Sequence, residues 1–317
     1  MTKTSARRAL PHEGRALYLT DGGIETTLIF HDGFELPEFS AVTLMETPEG
    51  RAGLKSYFER YLPIAREAGL GFVLESPTWR ASPDWVGKIG LDLEGIERAN
   101  RAAMALMAEL RESYETERSP IVISGCVGPR GDGYDPGAVM TPEEAERYHA
   151  WQIGVLKDAG AELITAITMT NIPEAIGLAR AAGKAGVPVV ISFTVETDGR
   201  LPAGDLLKDA IEAVDAACEV KPAYYMINCA HPTHIDQVLE QGAAWTDRIG
   251  GLRANASKCS HAELNEAEEL DTGNPSELGR EHAELVAKFP AIRVLGGCCG
   301  TDHRHIAAIS EACAETV

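Results

Sequence analysis

Three cysteines in this sequence are placed where they could bind one metal ion. Cys298 and Cys299 are adjacent within a Gly-Gly-Cys-Cys-Gly stretch, and Cys229 closes an earlier apolar run. Neighbouring side chains of a regular strand point to opposite faces, but flanking glycines let the backbone turn both sulfurs inward. Three thiolates suit Zn²⁺, and three protein ligands leave a fourth position open, as in catalytic zinc sites. The pattern therefore predicts Zn²⁺ on these three cysteines.

The ligand type also indicates the kind of reaction. A divalent ion with three thiolate ligands keeps a net negative charge, so it activates water poorly. It suits a substrate thiol, which loses its proton at the metal and remains nucleophilic near neutral pH. Alkyl transfer to sulfur is therefore favoured over hydrolysis.

The elements that must position these cysteines alternate along the whole chain. Apolar runs predict eight strands, at residues 17–21, 71–75, 121–125, 162–167, 188–193, 223–228, 249–253 and 292–295. Helical patterns follow them or lie between them, at residues 48–68, 93–113, 142–159, 174–182, 205–218, 234–241, 276–288 and 302–313. Repeated strand-helix-strand units imply parallel strands with right-handed crossovers, and eight such units close into a (β/α)8 barrel, the TIM barrel of the α/β class.

The domain organisation follows from the same pattern. We expect a flexible lead-in over residues 1–15 and a single barrel domain over residues 16–317, because no linker rich in Pro, Gly or Ser divides the chain. An open, doubly wound sheet is the competing fold. Against it, the first strand is not followed by a Gly-x-Gly-x-x-Gly motif.

Active sites of such barrels form at the carboxyl ends of the strands. Polar residues, glycines and cysteines gather at these ends, in the segments 21–23, 75–79, 125–128, 168–171, 192–194, 228–229, 253–257 and 297–300. Trp79 among them would suit a methyl-onium donor through cation–π attraction, with plain packing as the alternative. His231 follows Cys229 closely, and we interpret it as a loop histidine rather than a ligand.

Composition restricts the partners and the compartment. The 317 residues include 29 Lys and Arg against 48 Asp and Glu, a net charge of −19, which disfavours nucleic acid and anionic membrane surfaces as partners. No apolar run reaches the roughly 20 residues that cross a bilayer, and residues 1–15 lack the apolar core of a secretory signal. Seven cysteines, two of them adjacent, predict reduced thiols in a cytoplasmic protein. A homo-oligomer is compatible with the sequence.

The chain resembles the homocysteine S-methyltransferase family, which includes betaine- and S-methylmethionine-dependent enzymes. The matching pieces are Asp21-Gly22-Gly23, Ser76-Pro77-Thr78-Trp79, Gly128-Pro129, Asn228-Cys229-Ala230-His231-Pro232, Asn255 and Gly297-Cys298-Cys299-Gly300-Thr301. The resemblance implies Zn²⁺ on the three cysteines, with the homocysteine sulfur as exchangeable fourth ligand. It also implies contacts of Asp21, Gly22 and Gly23 with the amino-acid part of homocysteine.

The reaction implied is methyl transfer from a small onium donor to the zinc-bound thiolate of homocysteine, giving methionine. S-methylmethionine, S-adenosylmethionine, betaine and dimethylsulfoniopropionate are the candidate donors. Thr168 and Asn255, at two strand ends, are further candidate substrate contacts, although Asn255 could instead hold a loop.

One departure from the family concerns the acceptor. Members usually carry a glutamate at the end of the fourth strand that receives the substrate ammonium, and this chain has Ile167 there. Isoleucine accepts no hydrogen bond, so either another group meets the ammonium or the acceptor is a different thiol. Glu75 is the preferred replacement, with Glu25 and Asp21 as alternatives.

Two rival functions come from other classes. A zinc-binding or redox sensor without turnover is the first, although an open metal position and polar strand ends argue against it. An aldolase or lyase barrel is the second, and it would need a lysine or a paired acid and base at the strand ends. Lys258 is the only lysine near one.

Overall fold

The structure, a computed structural model, describes residues 9–266 and 270–314. Eight parallel strands pair in chain order into a closed barrel, in which the first strand pairs with both the second and the eighth. They are β1 (Tyr18–Leu19), β2 (Gly71–Glu75), β3 (Ile121–Val127), β4 (Leu163–Met169), β5 (Val189–Thr194), β6 (Tyr224–Asn228), β7 (Ile249–Ala254) and β8 (Val294–Gly297). The predicted (β/α)8 barrel is confirmed, and the open sheet is wrong.

Helices surround this barrel. They are α1 (Ile24–Thr26), α2 (Pro48–Phe58), α3 (Leu62–Ala68), α4 (Leu93–Tyr114), α5 (Pro142–Asp158), α6 (Ile172–Ala185), α7 (Leu207–Ala217), α8 (Pro232–Val238), α9 (His261–Glu266), α10 (Pro275–Lys288) and α11 (His303–Ala314). The single helix predicted over residues 48–68 is in fact two helices. Pro63 has no amide hydrogen, and its ring would clash with the carbonyl of Glu59, so α2 cannot continue into α3.

Local capping signals position several of these helices. Thr141 accepts from the Glu144 amide, and the Glu144 carboxylate accepts from the Thr141 amide, which forms a capping box at the start of α5. Gly69 and Gly186 adopt left-handed conformations where α3 and α6 end. These ends bring the chain back to the base of the next strand.

Alternate strand residues fill the lower half of the barrel. An inner cluster consists of Leu10, Tyr18, Val73, Val122, Leu163, Val190, Tyr224, Met226 and Val294. Neighbours such as Leu17, Leu19 and Phe72 belong to a second, larger cluster with the helices. Because the amino-terminal half of the barrel is packed with side chains, a cavity can form only at the carboxyl ends of the strands.

The two chain ends bear on the predicted domain limits. Leu10 and Pro11 are buried, and Leu10 belongs to the inner cluster, so this part of the predicted lead-in packs against the base of the barrel, whereas residues 12–15 are exposed. Residues 1–8 and 315–317 lie outside the described residues, and the boundary at residue 15 stays a prediction. Within the described ranges, no helix has the length and apolar content needed to span a bilayer.

Candidate active site

A large cavity opens over the carboxyl ends of the strands. Its wall includes Asp21 after β1, Glu75 of β2, Ile167 of β4, Arg253 of β7 and Cys299 after β8. Residues from the loops after β3 and β7 complete the mouth. The cavity lies above the packed half of the barrel, where this fold places its active sites.

The structure brings Cys229, Cys298 and Cys299 together at this cavity. Their sulfur atoms all lie within 4.8 Å of one another, and the sulfurs of Cys229 and Cys298 are 2.8 Å apart. Bonds from the two neighbouring thiols lower the pKa of Cys299 well below its usual range, whereas burial raises the pKa of Cys229. Bonds to Cys229 and Cys299 raise the pKa of Cys298, so Cys299 is the sulfur on which negative charge is favoured.

Unusual backbone geometry turns these sulfurs toward one point. Cys229 has a φ of 59°, in the left-handed region that non-glycine residues rarely occupy, at a cost of about 1–3 kcal/mol. Its amide donates to the carbonyl of Arg253 at 3.1 Å, and its carbonyl accepts from Asn255 Nδ2 at 2.9 Å. A side chain at Gly297 would collide with Thr301, so only glycine fits before the cysteine pair.

Asn228 holds the cysteine of β6 in place from below. Its Nδ2 donates to the Cys229 sulfur at 3.1 Å and to Thr194 Oγ1 at 3.2 Å. Its Oδ1 accepts from Ser192 Oγ at 2.6 Å and from the Thr168 amide at 3.1 Å. This fully buried amide thus connects three neighbouring strands to one of the sulfurs.

Tyr134 covers the sulfur cluster from the loop after β3. Its hydroxyl lies 3.4 Å from the Cys229 sulfur and 3.2 Å from the Cys299 sulfur, and its ring packs on His261 with 4.6 Å between centroids. Sequence reasoning missed this residue, because nothing in an irregular loop indicates which side chain will reach a strand end. An O–H group at this distance can stabilise a thiolate.

Arg253 is the second site residue that sequence reasoning did not single out. Its Nη2 donates to Asp21 Oδ1 at 2.7 Å, its Nη1 contacts Glu75 Oε2, and its Nε donates to the Gly297 carbonyl at 3.0 Å. All three charged side chains are buried. An arginine near the end of an otherwise apolar strand was the available signal, since a buried charge requires partners.

The predicted substrate-binding residues therefore already have protein partners. Asp21 accepts from Arg253 and, through its other oxygen, from Tyr57 at 2.8 Å. The Gly23 amide donates to the Thr301 carbonyl at 3.0 Å. The structure brings Asp21, Gly22, Gly23, Glu75, Thr168 and Asn255 to the one cavity, and their contacts with a substrate stay a prediction.

Thr168 and Trp79 form a unit on the wall of the cavity. The Trp79 Nε1 donates to Thr168 Oγ1 at 2.8 Å, and Thr168 has a left-handed φ of 59°. The Arg80 guanidinium lies 4.4 Å from the Trp79 ring centroid. A cation thus already lies on this indole, and the onium contact of Trp79, with packing as its alternative, stays a prediction.

His231 lies near the cysteines in sequence but has another task. It is the residue before α8, where its ring accepts from the Thr233 amide. Burial lowers its pKa to about 4, and its Nε2 is 3.3 Å from Glu281 Oε2. The loop interpretation thus agrees with its position.

A comparison with protein families decides the classification. The sequence model of the family described as homocysteine S-methyltransferase matches residues 18–313. The chain belongs to this family. It is therefore a methyltransferase, as the cysteine pattern and the resemblance predicted.

Individual members of the family align over most of their length. A selenocysteine Se-methyltransferase of Brassica oleracea var. italica is 28% identical over 317 residues, covering 92% of this chain and 87% of that protein. The homocysteine S-methyltransferase of Escherichia coli K12 is 26% identical, covering 98% and 99%. The crystal structure of the E. coli homocysteine methyltransferase MmuM in its metallated form superposes with a TM-score of 0.68 at 20% identity, covering 94% and 96%. This last likeness supports the fold.

Within this homocysteine S-methyltransferase fold, position 167 of β4 is apolar. Ile167 lines the cavity. Glu25, on the helical turn after β1, lines the same cavity and is partly exposed. Loss of hydration, followed by the nearby charges of Cys299 and Asp21, raises the pKa of the Glu25 carboxyl to about 8.

Proposed function

We propose that this chain transfers a methyl group from a small onium donor to the sulfur of homocysteine, giving methionine, with Zn²⁺ on Cys229, Cys298 and Cys299. The observation that carries the proposal is the convergence of three sulfurs, all within 4.8 Å of one another, at the cavity over the barrel mouth. S-methylmethionine, S-adenosylmethionine, betaine or a similar onium compound is the proposed donor.

The donor set suits Zn²⁺. Three cysteine sulfurs from two separate strand ends are a known ligand class for this ion, and Cys298 and Cys299 line the cavity in which a substrate would bind. Zinc held there supplies the thiolate form of the acceptor at neutral pH. A cytoplasmic setting fits this chemistry, since thiols remain reduced there.

The chain's own residues would align the acceptor and protect it. Asn228 Nδ2 and the Tyr134 hydroxyl both donate to the Cys229 sulfur, which holds this sulfur in place and would stabilise it as a thiolate ligand. Arg253 pairs with Asp21 and Glu75, which holds these two carboxylates in place on the cavity wall near the sulfurs.

The methyl transfer requires no acid or base at the methyl carbon. The acceptor thiolate forms the new S–C bond as the donor's C–S⁺ or C–N⁺ bond breaks, and the bonding electrons leave on the donor. The acceptor's thiol proton is lost to solvent beforehand. What the site contributes is alignment and exclusion of water.

A panel of acceptors and donors tests the proposal. Purified protein, with its zinc measured by mass spectrometry, is incubated with homocysteine and each of the four donor types. Methionine formation that stops with a chelator and returns with Zn²⁺ is the expected result. A protein without turnover for any acceptor would contradict the proposal and favour the sensor.

A different acceptor is the second candidate, and Ile167 favours it because the family's usual ammonium acceptor is missing at this position. The panel therefore includes cysteine, selenocysteine and thiols without an amino group. Turnover of one of these, together with no turnover of homocysteine by any donor, would show that the acceptor is wrong while the thiol chemistry is right.

A further inference from the structure

We propose that Glu25 binds the ammonium group of the amino-acid thiol that this site methylates, in place of the glutamate that other members carry at the end of the fourth strand. This inference rests on the proposed function, because it requires an acceptor with an amino group. Glu25 would then determine the specificity for an amino-acid thiol, a role that Ile167 cannot perform.

The need for a replacement follows from the cavity wall. Ile167 presents only hydrocarbon to the cavity, so it cannot accept a hydrogen bond from an ammonium. A cation taken out of water without a partner pays its full desolvation cost. In homocysteine only three carbon atoms separate the sulfur from the nitrogen, so the partner must lie near the sulfur cluster.

Two nearby carboxylates are already committed to other groups. Both oxygens of Asp21 accept bonds, one from Arg253 and one from Tyr57. Glu75 is paired with Arg253 through Oε2, and its Oε1 is sealed from solvent within the wall. A substrate ammonium could bind Asp21 only if one of its buried bonds were broken, and it could reach the buried, unpartnered Oε1 of Glu75 only if the cavity wall moved.

The carboxylates on the far side of the mouth are engaged as well. Asp132 pairs with Arg80 at 3.0 Å, and Glu196 pairs with His261 at 2.9 Å. Among the described carboxylates that line the cavity, Glu25, Glu38 and Asp135 have no ion pair or hydrogen bond to another side chain; Glu38 and Asp135 lie on the exposed rim, whereas Glu25 is half-buried.

Glu25 is also placed close to the cysteines by its backbone. It lies two residues after Gly23, whose amide donates to the Thr301 carbonyl. An added Cβ on Gly23 would meet the Cys298 carbonyl oxygen at 2.5 Å, so this turn packs directly on the cysteine pair. Glu25 is partly exposed to the cavity, whereas Asp21 and Glu75 are buried.

The test compares two acceptors that differ only in the amino group. Homocysteine and 4-mercaptobutyrate, which is homocysteine without its amino group, are assayed with the zinc-loaded enzyme and the donor it uses fastest. We expect wild-type kcat/KM to favour homocysteine by about 10- to 100-fold, the usual range for one hydrogen-bonded charge. The Glu25→Gln variant should lose that preference through a higher KM for homocysteine, while 4-mercaptobutyrate and the donor KM change by less than about 2-fold.

A matched control separates this contact from a general loss of negative charge. Glu38→Gln removes a carboxylate from the exposed rim of the same cavity and should keep the wild-type preference. Zinc content and the urea unfolding midpoint are measured for each variant. Moving the carboxylate to the fourth strand, in Glu25→Gln with Ile167→Glu, should restore the preference for homocysteine.

Three results would overturn the inference. If the wild-type enzyme methylates both acceptors equally well, no group binds the ammonium, and this result needs no variant. A folded, zinc-loaded Glu25→Gln enzyme that still prefers homocysteine shows that another group binds it. In both cases the methyl transfer itself survives, whereas a wild-type enzyme that methylates no amino-acid thiol removes the proposed function and Glu25's role together.

Discussion

Arg253 and Asp21 connect the seventh strand of the barrel to the first through a buried ion pair of 2.7 Å. The same guanidinium contacts Glu75 at the end of the second strand, so one cation serves two carboxylates. Desolvation of the charges opposes this arrangement, and its benefit depends on every member keeping a partner. These residues therefore act as one unit.

Removing the cation of this unit should destabilise the fold. Arg253→Met leaves Asp21 and Glu75 buried without a counter-charge, and we expect a loss of about 3–5 kcal/mol in the free energy of unfolding at pH 7. Urea unfolding followed by circular dichroism measures it. Arg101→Met, which removes an exposed pair with Glu97, is the control and should cost below about 1 kcal/mol. Equal effects of the two changes would contradict the prediction.

Replacing one sulfur should abolish metal binding. Cys229→Ser removes a thiolate ligand and should reduce zinc from about one ion per chain to less than about a tenth, with methyl transfer lost. Inductively coupled plasma mass spectrometry measures the metal. Cys218→Ser changes a buried thiol outside the cluster and should retain the ion. Full zinc occupancy in Cys229→Ser would refute the ligand assignment.

The Asn228 side chain should increase the affinity of the cysteine cluster for zinc. Asn228→Ala removes the donor to the Cys229 sulfur and should weaken zinc affinity by about 10- to 100-fold in a chelator competition. Asn100→Ala removes another fully buried amide, which bonds to the carbonyls of Ala81 and Ile96 on the barrel exterior. Both variants should lose stability, but only the first should lose zinc affinity. A similar affinity in both would contradict this role of Asn228.

Stability should fall as the pH drops below neutrality, in part because of His282. Burial lowers its pKa from 6.5 to about 4, so between these values the unfolded chain binds more protons than the folded one. The free energy of unfolding is therefore highest above pH 6.5 and decreases toward pH 4. His282 accounts for a decrease of about 2 kcal/mol between pH 7 and pH 5. Urea unfolding at the two pH values measures it. His282→Gln should reduce the difference by that amount, and an unchanged difference would contradict the assignment.

Local patterns were sufficient for the architecture and the reactive atoms. Alternation of apolar runs with helical periodicity predicted the closed barrel, because strand and helix formation depend mostly on nearby residues. The break between α2 and α3 was missed, although Pro63 was the signal for it. Proline is excluded from the interior of a helix but tolerated in its first turn, so Pro63 ends α2 and lies at the start of α3. The vicinal cysteines indicated sulfur chemistry because few other tasks need two adjacent thiols between glycines.

The choice among acidic residues shows where sequence reasoning ends. Glu75 was preferred to Glu25 and Asp21 as the ammonium acceptor, and its substrate contact stays a prediction, because whether a carboxylate is available depends on its neighbours in space. Arg253 and Asp21 are 232 residues apart in the chain, and Tyr134 and Cys299 are 165 apart. By itself the sequence determined the barrel, the family and the sulfur cluster. Only the tertiary structure decided which charges are already paired, because such pairing comes from contacts between distant segments that local patterns do not record.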